Sequence, residues 1–195
     1  MSVNKSKSPF SRLAIWAVIA LCYLAAFLAV AKIITPIQGH FLPEITEFAS
    51  LCFLPHGVRV ISTWYYRMQA VPALFLGQIL PSLLLQGHLP PAALLAPMFV
   101  SAISAYGAFV LLSWFGGVAF YVPARQARKT YPVLLQAGLL ASLINAVGLV
   151  FVLPDQAYAD LISPTIVIFV LGDNIGLFTL LLILMVVFRV QPRLR

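Results

Sequence analysis

The sequence predicts an all-α, polytopic integral membrane protein built as a bundle of six transmembrane helices. Of its 195 residues, 62% are hydrophobic and 9% are charged, whereas soluble domains contain about 25% charged residues. Apolar stretches near the roughly 20 residues that cross a bilayer alternate with short polar connections. We therefore expect one membrane domain at residues 13–188, between basic cytoplasmic tails at 1–12 and 189–195. These 195 residues leave no room for an attached kinase, cyclase or ATPase.

The first three expected helices cover residues 13–31, 45–66 and 70–85. Residues 13–31 follow a basic segment, but they exceed the roughly 7–15 apolar residues of a signal peptide, so we expect an uncleaved helix. The second helix is the least hydrophobic. Because Pro55 lacks a backbone donor and Gly57 loosens the next turn, this helix is expected to be kinked or broken at Pro55.

The remaining expected helices cover residues 92–122, 133–153 and 161–188. Positive charge alternates along the chain with these helices, which predicts that both termini are cytoplasmic in a bacterial inner (plasma) membrane. The predicted inner segments hold Lys5, Lys7, Arg12, Arg67, Arg125, Arg128, Lys129, Arg189, Arg193 and Arg195. The predicted outer segments hold Glu44, Glu47, Asp155 and Asp160, with Lys32. The basic residues lie at the ends of apolar spans. The net charge of +7 therefore indicates contact with lipid head groups and not binding of nucleic acid.

Asp173 is the sole acidic residue deep inside an expected helix, since Glu47 lies at the outer end of the second one. Arg59 is a deeply placed arginine with His56 one turn before it. A carboxylate at bilayer depth costs several kcal/mol unless it is paired, hydrated or protonated, which favours a functional site. Arg67 and Arg189 mark the predicted inner ends of the second and sixth expected helices. From these ends, the rise per residue places Asp173 about two helical turns deeper in the membrane than Arg59. Asp173 could pair with Arg59 across a kink, face His56 or the broken helix end, or line a ligand cavity with Arg59. A purely structural ion pair is also open.

Further polar and small residues lie within the expected helices. Gln78, Asn145 and Asn174 could belong to the same cavity or could hydrogen-bond helices together. Gly172 and Gly176 form a GxxxG pattern, which predicts close packing. The sequence predicts no metal site, because Cys22 and Cys52 lack ligand spacing. It identifies no cofactor, and the absence of a nucleophile motif predicts a protein that is not an enzyme.

Three short segments carry a resemblance to a known family. Residues 53–59 contain an aromatic-x-Pro-x-Gly stretch, residues 70–77 read Ala-x-Pro-x-x-x-Leu-Gly, and residues 172–176 read Gly-Asp-x-x-Gly. Together they resemble the type-one membrane-associated sensor domain of bacteria. The resemblance implies a sensory, ligand-binding membrane module, which in that family is usually fused to a histidine kinase or diguanylate cyclase. This chain has fewer expected spans and no such output domain.

These observations predict a non-enzymatic sensory or ligand-binding module that acts through a separate partner protein. Its cavity would lie among the second, third, fifth and sixth expected helices. An alternative is a substrate-binding or transport component similar to the S-component of energy-coupling-factor transporters, which is of comparable size and also lacks its own ATPase. A third possibility is a structural subunit of a membrane complex. The expected partners are the lipid bilayer, a membrane or cytoplasmic protein and a small-molecule ligand.

Overall fold

A computed structural model describes residues 9–43, 50–86, 91–115, 120, 130–152 and 162–190. The described residues are mostly helical, with no strand among them. In chain order the helices are α1 (Pro9–Ala29), α2 (Thr35–Phe41), α3 (Leu54–Tyr66), α4 (Ala70–Gln86), α5 (Pro91–Trp114), α6 (Thr130–Val152) and α7 (Ile162–Val190). A π turn at Val30–Ile34 joins α1 to α2, and a 3₁₀ turn at Arg67–Gln69 joins α3 to α4.

The predicted six-span bundle is wrong. Within the described residues, four helical stretches are long and apolar enough to cross a membrane, namely Ser11–Phe41, Leu94–Trp114, Tyr131–Val152 and Ile166–Arg189. The chain is therefore a multi-pass membrane protein. Helices α3 and α4 have 13 and 17 residues, or roughly 20 and 26 Å at 1.5 Å per residue, which is shorter than the roughly 30 Å hydrocarbon core. Apolar composition indicated two further spans here, but the helices are too short.

The first span is longer than the predicted 13–31, because the helix continues through Lys32 and Pro36 to Phe41. Proline has no N–H and its ring crowds the carbonyl of the preceding turn. The π turn precedes Pro36, and in it the Thr35 N–H bonds to the Val30 carbonyl five residues back. This wider turn accommodates the proline without ending the helix.

The expected second span at 45–66 is helical only from Leu54 onwards in the described part, and residues 44–49 lie outside that part. Pro55 occupies the first turn of α3, where a missing N–H breaks no helical hydrogen bond. Residues 50–53 lead into α3 without helical structure. Similarly, α5 ends at Trp114 and not at the expected residue 122.

Two hydrogen bonds fix the backbone segment that enters α3. The Leu51 N–H donates to Gln38 Oε1 of α2 at 2.7 Å, and the Phe53 N–H donates to the Gly172 carbonyl of α7 at 3.0 Å. Gly172 and Gly176 of α7 permit this contact, because a Cβ at either position would overlap the backbone of Ser50 or Phe53. The GxxxG pattern therefore faces an irregular segment and not another helix.

Helix α3 lies at the centre of the bundle. It packs against α1, α4, α5, α6 and α7, while α1 packs on α4, α4 on α5, α5 on α6 and α6 on α7. All residues from Leu54 to Val60 are buried. Apolar clusters pack on two sides of α3, one centred on Val60, Phe109 and Leu177 and the other on Val58 and Leu74.

We expect Gly176→Ala to destabilise the protein by about 1–3 kcal/mol, because the added methyl group meets backbone that has no rotamer to change. Gly107→Ala on α5 is the matched control, since its Cβ would lie 3.8 Å from Ile144 Cδ1 in ordinary contact. Thermal unfolding in detergent should show a lower Tm for Gly176→Ala alone. Equal Tm values for the two variants would contradict this packing.

Arg67 has a positive φ of 54°, in a region where a side chain costs about 1–3 kcal/mol and glycine is at ease. We expect Arg67→Gly to be more stable than Arg67→Ala by about 1 kcal/mol. Both variants lose the guanidinium contact with Phe120, 5.2 Å from the ring centroid, so their comparison isolates the backbone effect. A Tm for Arg67→Ala equal to or above that of Arg67→Gly would count against the strained turn.

Candidate functional site

His56, Arg59 and Asp173, named here the charged cluster, meet at the centre of the bundle. His56 Nδ1 of α3 lies 3.2 Å from Asp173 Oδ2 of α7, and the two side chains are 0% and 7% exposed. Arg59, one turn further along α3 and 2% exposed, places a terminal guanidinium nitrogen 3.4 Å from the same ring nitrogen. Of the alternatives that the sequence left open, the structure has Asp173 facing His56.

The other ring nitrogen of His56 fixes the orientation of the imidazole. Nε2 lies 3.1 Å from the backbone carbonyl oxygen of Gly138 in α6. A carbonyl can only accept a hydrogen bond, so Nε2 carries the hydrogen. Gly138 also gives the Leu177 side chain room, because a Cβ there would overlap it, whereas that Cβ would be in ordinary contact with Nε2 at 3.6 Å. One imidazole thus joins α3, α6 and α7.

The hydrogen bonds of His56 determine the charge of the cluster. Nδ1 has one in-plane hydrogen-bonding position, and its closer neighbour is the Asp173 oxygen. Nδ1 can accept a hydrogen bond from the Arg59 guanidinium, with Asp173 ionised beside both groups, or it can share a proton with Oδ2. In the second arrangement, an imidazolium with a carboxylate and a neutral imidazole with a carboxylic acid both have zero net charge. Because the Asp173 contact is the shorter of the two, we infer the second arrangement, in which the His56–Asp173 pair does not cancel the positive charge of Arg59.

Arg59 has polar neighbours from two further helices. The Tyr23 hydroxyl of α1 faces the guanidinium and the Ser101 side chain of α5, and Thr63 lies one turn beyond Arg59 on α3. In the described part of the chain, Arg59 Nε and Thr63 Oγ1 are buried without a hydrogen-bond partner. Buried polar groups are nearly always satisfied, so Arg59 has hydrogen-bonding capacity left over.

Tyr23 and Ser101 were not predicted as site residues. Tyr23 lies in an almost wholly apolar stretch, where a tyrosine indicates a membrane-interface anchor. Ser101 belongs to a series of small residues on α5 that indicates close helix packing. Their position beside Arg59 depends on how α1 and α5 pack around α3. The spacing of residues along the sequence does not predict that packing.

The other predicted polar residues mainly join backbone groups. Gln78 of α4 donates to the Leu74 carbonyl at 3.1 Å and to the Met98 carbonyl of α5 at 3.4 Å. Asn174 donates to the Val170 carbonyl of its own helix at 2.7 Å. Asn145 of α6 is half-buried, and its Oδ1 has no partner among the described residues.

Pro55 and Gly57 belong to the start of α3, next to the cluster. Gly57 lets α3 approach α7 closely, because a Cβ there would lie 3.1 Å from the Leu177 Cα. Within the described ranges, no three His, Cys, Asp or Glu side chains group together as a metal site would require. Cys52 contacts the Thr179 hydroxyl, with its Sγ at 3.6 Å.

We expect Asp173→Asn to lower the stability by less than about 1 kcal/mol, because an amide can hydrogen-bond to His56 Nδ1 without changing a net-neutral pair. Asp173→Ala should cost more, about 1–3 kcal/mol, because it leaves the buried Nδ1 without a partner. Thermal unfolding of both variants in detergent measures the difference.

A different outcome would identify Asp173 as the counter-ion of Arg59. Removing one partner of a buried ion pair costs about 3–5 kcal/mol, so Asp173→Asn would then be severely destabilised. The double variant Asp173→Asn/Arg59→Gln would recover the lost stability, since neither charge would remain. Recovery of that kind would overturn the charge assignment given above.

Comparisons with protein families, with curated proteins and with solved structures found no match to this chain. The resemblance of residues 53–59, 70–77 and 172–176 to a bacterial sensor domain therefore stays a hypothesis. The interpretation of the charged cluster rests on its geometry and chemistry.

Proposed function

We propose that this chain is a non-enzymatic ligand-binding and sensory module of a bacterial inner membrane that acts through a separate partner protein. The observation that supports the proposal is the charged cluster, buried at the centre of the bundle beside polar atoms that have no hydrogen-bond partner in the described part of the chain. Charged residues at this depth are expensive and usually line ligand or ion sites.

The unpartnered atoms favour ligand binding over a structural role. In a structural polar network every member should be satisfied, because a partly satisfied network is less stable than an apolar core. Arg59 Nε and Thr63 Oγ1 do not meet this condition. A ligand that accepts hydrogen bonds from them would complete the network.

The position of α3 supports a sensory role. This short helix carries His56 and Arg59 and packs on every neighbouring helix of the bundle. A ligand at Arg59 would therefore change the position of α3 and, through its packing, that of the helices that cross the membrane. The partner protein would recognise this change in the arrangement of the helices. Four crossing helices among the described residues, an even number, would leave both termini on the same side of the membrane. The lysine and arginine pattern supports the cytoplasm as that side.

A transport component similar to the S-component of energy-coupling-factor transporters is the second candidate. The feature that favours it is α3 itself, since transporters commonly build sites near the bilayer midplane from short, interrupted helices. Sensing and transport share a ligand site and differ in what happens to the ligand.

Ligand binding can be tested by thermal unfolding of the purified protein in lipid nanodiscs. The panel contains acetate, inorganic phosphate, dodecanoate, spermidine and glucose. A compound at 100 times its Kd stabilises the folded state by about 2.7 kcal/mol. We expect at least one compound to raise the Tm, and His56→Gln to abolish that shift because it removes the residue that orients the cluster.

His40→Gln in α2 is the matched control, because it makes the same substitution away from the cluster. A shift that persists in His56→Gln, or a panel without any shift, would contradict ligand binding at this site. With a compound that binds, uptake into proteoliposomes then separates the two functions. Accumulation of the compound inside the vesicles would favour transport over sensing.

A further inference from the structure

We infer that Arg59, with Tyr23 and Thr63 beside it, binds an oxyanion group, a carboxylate or a phosphate, of the ligand. The inference rests on the proposed ligand-binding function and adds the chemical class of the ligand. It follows from the charge of the cluster and from the hydrogen-bonding groups that surround Arg59.

Arg59 carries the positive charge that an oxyanion would neutralise. The guanidinium is always protonated and is 2% exposed. The described carboxylate in the cluster, Asp173, lies 3.2 Å from His56 Nδ1, and a proton shared between the two makes that pair neutral. With that proton in place, Arg59 keeps an uncompensated positive charge in a low-dielectric interior, which is costly unless an anion lies beside it.

The hydrogen-bonding groups match an oxyanion. Arg59 Nε can only donate a hydrogen bond, and among the described residues it is buried without a partner. The Tyr23 hydroxyl of α1 faces the guanidinium, and Thr63 lies one turn from Arg59 on α3. Hydroxyl groups can donate to an oxyanion, and a guanidinium binds carboxylate and phosphate with paired hydrogen bonds. A cationic ligand would instead be repelled by the positive charge of Arg59.

A groove of about 280 Å³ between α1 and α3 indicates how a ligand could approach. Its walls include Ile19 and Cys22 of α1 and Ser62 and Tyr66 of α3. Arg59, Tyr23 and Thr63 are not among its lining residues, so a ligand that enters here would have to part α1 from α3 to reach Arg59. Since α1 crosses the membrane, the groove would favour an anion with an apolar chain, although a soluble anion would use the same chemistry at Arg59.

The test measures thermal unfolding in nanodiscs of phosphatidylcholine, a lipid without net charge. Dodecanoate is compared with dodecanol, which has the same chain and no charge, and with acetate and inorganic phosphate, which have no chain. We expect dodecanoate to raise the Tm and dodecanol to leave it unchanged. A shift with acetate or phosphate would support the same oxyanion site with a soluble source.

Variants connect the shift to Arg59. Arg59→Gln should weaken dodecanoate binding at least tenfold, whereas Arg67→Gln, the same substitution at an exposed position, should bind as the wild type does. Tyr23→Phe removes one hydroxyl and leaves every charge in place, and it should weaken binding severalfold. If Arg59→Gln does not fold, Tyr23→Phe in combination with the dodecanol comparison decides the question.

Two results would overturn the inference. One is an equal shift with dodecanol and dodecanoate, and the other is unchanged anion binding in Arg59→Gln or, where that variant does not fold, in Tyr23→Phe. A His56-dependent shift with spermidine or glucose alone would refute the oxyanion class and leave the proposed ligand-binding function standing. A complete absence of shifts would refute both.

Discussion

The arrangement of this protein depends on one constraint: the polar side chains of α3 need partners where water is scarce. His56, Arg59 and Thr63 cannot face lipid tails, because each unsatisfied polar group there costs several kcal/mol. The helices α1, α4, α5, α6 and α7 surround α3 instead. Two polar contacts of His56 fix how these helices are arranged around α3. One is its hydrogen bond to the Gly138 carbonyl of α6, and the other is its contact with Asp173 of α7.

Small residues make that enclosure possible. Gly57, Gly138, Gly172 and Gly176 each stand where a methyl group would meet a neighbouring helix or the segment before α3. Membrane helices gain little from apolar burial against one another, since lipid is equally apolar, so close van der Waals contact and polar bonds must hold them. In this bundle the two requirements coincide, because the glycines that allow close contact also expose the carbonyls that accept bonds from His56 and Phe53.

Sequence reasoning predicted the helical membrane class and failed on the number of spans. It named His56, Arg59 and Asp173, which the structure brings together, whereas Gln78 and Asn174 bond to backbone carbonyls away from them. Composition cannot separate an apolar helix inside a bundle from one that crosses the bilayer. Helix α3 is short because it begins next to Pro55 and ends before the turn at Arg67. Rise along the helices suggested that Asp173 lies nearer to His56 than to Arg59, but spacing could not reveal Tyr23, whose role arises from the packing of α1 on α3.

The two hydrogen bonds before α3 have a mechanical consequence. Leu51 is tied to α2 and Phe53 to α7, so the start of α3 cannot slide along the bundle without breaking one of them. The far end of α3 leads through the 3₁₀ turn at Arg67–Gln69 into α4. With the start of α3 held, a movement of the rest of this helix would be passed through that turn to α4.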